Sequence, residues 1–167
     1  MKAVLLSVHV VAAIVLIGPI TVAASVFPRY ARLALTPSPT PDPPADAIGA
    51  WAVASAMHRI SRGYAVPALA VPVFGIGVGS ALGVLTQPWV LVSMALTAVA
   101  GALLAVAIVP SQRQVLGAGA GGAGVSSGSA QPTGQLRRLA MSTGAFALLW
   151  VVVVVLMILR PGSTTGV

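Results

Sequence analysis

Four stretches of this chain contain no Asp, Glu, Lys or Arg, and each is long enough to cross a bilayer. They run from Ala3 to Phe27, from Tyr64 to Leu85, from Trp89 to Val109 and from Leu139 to Leu159. A helix rises ~1.5 Å per residue, so about 20 apolar residues cover a hydrocarbon core of ~30 Å. In lipid every backbone N–H and C=O must be paired within its own segment, so isolated spans must be helical. The pattern predicts an all-α fold, an integral membrane four-helix bundle forming a single domain over residues 1–167. Only 7% of the residues are charged, against about 25% in a soluble domain. A surface built from so few charges needs lipid as its solvent.

The first block has a rival reading. Lys2, an apolar run and the small residues Ala23, Ala24 and Ser25 are the ingredients of a secretory leader. Its apolar run exceeds the ~7–15 residues of a leader core, so it is read as a span.

Nine Lys and Arg against two Asp give a net charge of +7. These charges flank the apolar blocks and form no basic face, which argues against nucleic acid as a partner. Beside spans they set topology and attract anionic headgroups. Arg29, Arg32, Arg59, Arg62, Arg113, Arg137 and Arg138 fall in the first and third connections, and only Lys2 and Arg160 on the other side. The excess places both long connections in the cytoplasm and both termini outside. A strong Ala, Gly, Val and Arg bias resembles that of a high-GC bacterium, whose plasma membrane is then the expected location.

Blocks two and three are joined only by Thr86, Gln87 and Pro88, which makes them an antiparallel hairpin with Trp89 at headgroup level. The first connection holds a proline-rich loop over residues 36–46, expected to be extended. Asp46 suits an N-cap. A short helix from Ala47 to Arg62 is expected to lie on the membrane surface or to run on into the second span. Trp51, Ser55, His58 and Arg62 share one face of it by helical spacing. Trp51, His58, Arg59 and Arg62 are its candidates for contact with lipid headgroups or a partner. Residues 117–134 are rich in Gly, Ala and Ser and read as a flexible linker.

Small residues suggest the packing seams. Gly75, Gly79 and Gly83 recur every fourth residue in the second span, and Ser93, Thr97, Gly101 and Ala105 in the third. Such ridges let helices approach closely, either within the hairpin or against another subunit. Pro19 and Pro67 are expected to kink their spans. Span four, with Val151 to Val155, is expected to be either the most lipid-facing helix or an apolar contact with a partner.

Chemistry-bearing groups are few. Cysteine is absent, and the apolar blocks lack the ionisable residues a proton relay or charge-coupled transporter needs. No phosphate loop, metalloprotease motif or nucleophile elbow is present. His9 stands about six residues into span one. It hydrogen-bonds a neighbouring helix, reaches the headgroup zone, or serves as a ligand to haem or a metal. His58 lies at the opposite depth, ~27 Å away by helix rise, so the two imidazoles do not share one iron.

Ser7-Val8-His9-Val10-Val11-Ala12-Ala13-Ile14-Val15, then Gly18-Pro19, then Ser25-Val26-Phe27-Pro28-Arg29-Tyr30 resembles the opening of the DUF2269-type membrane family. More distantly it is similar to copper-resistance CopD and HemJ-like membrane proteins, which also carry a histidine near the start of their first helix. The resemblance covers about the first 30 residues. It implies a membrane helix bundle in which His9 matches a histidine that serves haem in HemJ-like proteins. Two functions remain in view: an accessory subunit without a catalytic site, packed among the subunits of a larger, for instance respiratory, membrane complex, or a haem- or metal-associated redox protein using His9. Membrane lipids are partners in either.

Overall fold

The computed structural model describes residues 1–36, 45–120 and 132–162. It is all-helical over those residues. Four helices are long and apolar enough to cross a membrane: α1 (Lys2–Ala34), α2 (Ala45–Leu82), α3 (Pro88–Ala118) and α4 (Pro132–Leu159). They form a multi-pass, up-and-down bundle. Each helix is longer than its uncharged block. Residues 37–44 of the proline-rich loop and 121–131 of the Gly/Ala/Ser linker lie outside the described residues. The rest of those two segments is largely helix, because α3 runs on through Val109–Ala120 and α4 starts at Pro132.

The main seam joins the second half of α1 to the first half of α2. Ile20, Ala24, Phe27 and Ala31 repeat at alternating spacings of four and three and are fully buried. They pack on the first half of α2, where Ala50, Ala54 and Ser61 are buried. Alanine faces let the two backbones come close, and Phe27 fills the remaining space. The segment Ala45–Ala65 is therefore not a helix lying on the membrane surface. It stands upright, continuous with span two, because its small-residue face matches that of α1.

α4 carries a second heptad-like stripe. Leu136, Leu139, Thr143, Phe146 and Val153 are buried, with Trp150 packed behind them. The Phe146 and Trp150 rings meet edge to face at 6.3 Å. This stripe packs on α3 and on the C-terminal half of α1. Val151, Val152, Val154 and Val155 point outward. The least covered stretch is instead Lys2–Ala12 of α1, which buries no residue completely and packs on Ala70–Leu82 of α2.

Each of the first three helices has one irregular turn beside a proline; in α3 it is a π turn over Leu103–Ile108, just before Pro110. α1 widens into a π turn over Ala13–Ile17, just before Pro19. Proline has no N–H to donate and its ring crowds the carbonyl four residues back, and a wider turn relieves both. α2 tightens into a 3₁₀ turn over Pro67–Leu69. The irregular turns of α1 and α2 face each other across their seam.

α2 ends on a Schellman motif. Gly83 has φ 71°, Gly83 N–H donates to Ser80 C=O at 3.1 Å, and Val84 N–H donates to Gly79 C=O at 2.9 Å. α3 restarts with Pro88 in its first turn. The turn reverses the chain, yet Ala70–Leu82 meets Pro88–Ala102 only sparsely. Each half of the hairpin packs mainly on another helix, α2 on α1 and α3 on α4.

Candidate functional site

Polar side chains inside the bundle gather at the end that carries the long connections. Gln112 is fully buried. Its Oε1 lies 3.2 Å from His58 Nδ1 and its Nε2 lies 3.5 Å from Ser61 Oγ. An amide oxygen only accepts, so His58 donates from Nδ1, and the Gln112 amide donates to Ser61. The cluster ties α2 to α3. His58, half-buried, turns into the bundle rather than to a headgroup. Trp51 is also half-buried, while Arg59 and Arg62 of the same helix are exposed. The shared face of Trp51, Ser55, His58 and Arg62 is thus split, with its arginine outside.

Sequence reasoning missed Gln112. A signal was there: Leu104, Ile108 and Val115 are buried, and stepping four residues on from Ile108 reaches Gln112. The run of charged and polar residues after Pro110 disguised the continuation of the helix.

His9 occupies the other end. Its ring lies against Gly75 of α2. A Cβ added to Gly75 would stand 3.0 Å from His9 Cε1. Nδ1 is buried and has no hydrogen-bond partner. The backbone of Val71, one turn from Gly75, is the polar group beside the ring. Gly75 lies 17 residues beyond His58 on α2, so the two histidines are ~25 Å apart along the bundle.

His9 Nδ1 is covered, and the Gly75 backbone closes one side of the ring. The described cavity lies elsewhere, lined by Leu16, Arg59, Ile60, Gly63, Tyr64 and Pro67. Among the described residues no three His, Cys, Asp or Glu side chains cluster as metal ligands do.

The two predicted small-residue ridges divide by position. Gly75 receives His9, Gly79 receives the Leu85 side chain, whose Cδ2 would stand 2.6 Å from an added Cβ, and Gly83 ends the helix. On α3, Ser93 is buried and donates to its own helix at Trp89 C=O, 2.8 Å away. Thr97 is half-buried, and Gly101 and Ala105 are exposed. The ridges do not interlock. At this end Arg160 stacks over the Trp89 ring at 5.9 Å, joining the end of α4 to the start of α3.

Searches against protein-family models, curated proteins and solved structures find no match to this chain.

Proposed function

We propose that this chain is a non-catalytic accessory subunit of a larger complex in a bacterial plasma membrane. The observation that carries the reading is the length of the helices. α2 has 38 residues, ~57 Å at 1.5 Å per residue, against ~30 Å of hydrocarbon. α1 and α3, at 33 and 31 residues, also overshoot. Pro88, the start of α3, lies close behind Leu82, the end of α2, so the excess projects at the long-connection end. There the bundle forms a helical cap bearing seven of the nine Lys and Arg. By the charge rule that cap is cytoplasmic and both termini are outside. Inside it the polar groups of Gln112, His58 and Ser61 satisfy one another, as suits a rigid platform. A basic, rigid cap on an apolar stem suits docking on an acidic face of membrane partners.

The test solubilises membranes in digitonin and separates complexes on a native gel. The 16.6 kDa chain is expected to migrate with an assembly several times its mass, and Arg29→Glu with Arg32→Glu to release it. Migration of the wild type as a free small protein would overturn the reading. So would a Soret band in the purified protein that is lost in His9→Ala.

A further inference from the structure

Where the irregular turns of α1 and α2 face each other, the α1–α2 seam opens. The groove left there has a volume of about 400 Å³ and is lined by Leu16, Arg59, Ile60, Gly63, Tyr64 and Pro67. Leu16 belongs to the π turn of α1 and Pro67 begins the 3₁₀ turn of α2. A wide turn opposite a tight one breaks the regular meshing of side chains, and the prolines hold both turns in place. The volume is within the ~300–1,000 Å³ of small-molecule sites.

The groove itself is almost wholly apolar. Leu16, Ile60, Gly63 and Pro67 offer an apolar trough. Arg59 also lines it and is exposed, so its aliphatic stem borders the trough and its guanidinium is free to reach outward. Arg59 lies 23 residues before Leu82, the end of α2, or ~35 Å by helix rise, just beyond ~30 Å of hydrocarbon. Its guanidinium is therefore at headgroup depth while the trough descends into the acyl region. Asp46 is the only Asp or Glu among the described residues. It lies 13 residues from Arg59 on the same helix, ~20 Å away. Among the described residues no carboxylate competes for Arg59, and a guanidinium binds a phosphate in a two-pronged fashion.

We propose that this groove is a binding site for one anionic phospholipid, with an acyl chain in the trough and the headgroup phosphate on Arg59. The amphiphile would wedge the α1–α2 seam where its packing is interrupted. The inference is independent of whether the chain serves a larger complex.

Native mass spectrometry of the purified full chain tests it, with phosphatidylglycerol and phosphatidylcholine offered in equal amounts. The wild type is expected to retain one phosphatidylglycerol in preference to phosphatidylcholine. Arg59→Gln should cut that preference roughly fivefold, the worth of one basic residue at a lipid surface. Gly63→Leu should lower retention of both lipids, because an added Cβ at Gly63 meets nothing within 4 Å and the side chain can fill the trough without disturbing the fold. Arg138→Gln removes an exposed arginine outside the groove and should leave retention unchanged. Inorganic phosphate alone should not bind. Equal retention of the two lipids would overturn the proposal. So would indifference to either Arg59→Gln or Gly63→Leu, an equal loss in Arg138→Gln, or binding of free phosphate.

Discussion

Leaving a buried amide without partners costs about 1–3 kcal/mol, and Gln112 is fully buried between α2 and α3. Its bonds to His58 and Ser61 remove that cost. Elsewhere the buried or half-buried hydroxyls turn back on their own helices: Thr21 to Ile17 C=O at 3.0 Å, Ser93 to Trp89 C=O at 2.8 Å and Thr143 to Ala140 C=O at 3.0 Å. Gln112 differs because its partners are on another helix. A double-mutant cycle of Gln112→Ala and His58→Ala, read by unfolding in mixed micelles, should show a coupling of about 0.5–1.5 kcal/mol. Additivity within about 0.3 kcal/mol would mean that the two side chains are neighbours without interaction. His9 lacks such a partner, and Gly75 serves it by shape alone.

At the scale of the helices, the uncharged blocks revealed that four spans exist and roughly where each lies. Their true lengths were hidden, because the α1–α2 seam is built largely of alanines and α3 and α4 extend through polar and charged residues. Ala24 and Ala31 on α1 and Ala50 and Ala54 on α2 carry no strong hydropathy signal, yet they build the closest pair. The every-fourth glycine spacing was visible, but spacing alone does not name the partner. Gly75 faces α1, Gly79 faces the turn, and Gly83 caps the helix. The chain has no native cysteine, so pairs of introduced cysteines report neighbours cleanly. A Cβ at Gly77 would stand 3.8 Å from Leu5 Cδ2. Leu5→Cys with Gly77→Cys is expected to join efficiently through a short bifunctional thiol reagent. Gly77→Cys with Gly101→Cys, across the sparse side of the hairpin, is expected not to. The reverse pattern would place α2 against α3 and contradict the observed packing.

For the whole molecule, the helices act as two pairs, α1 with α2 and α3 with α4, that meet most closely at the long-connection end. α1 reaches across to α4 there, and the Gln112 cluster bolts α2 to α3. Toward the other end the halves of the hairpin barely touch. Exposed Val, Ile and Leu side chains cover the stem, among them Val11, Ile14, Val73, Val106 and Val154, as a lipid-facing surface requires. All of this rests on four crossings of the bilayer, which put Asp46 and Thr86 on opposite faces. Both residues are exposed. An impermeant thiol reagent added to intact cells tests the crossing directly in single-cysteine variants. Thr86→Cys is expected to label at once, and Asp46→Cys only after the cells are opened. Equal labelling of both from outside, or of neither until the cells are opened, would contradict it.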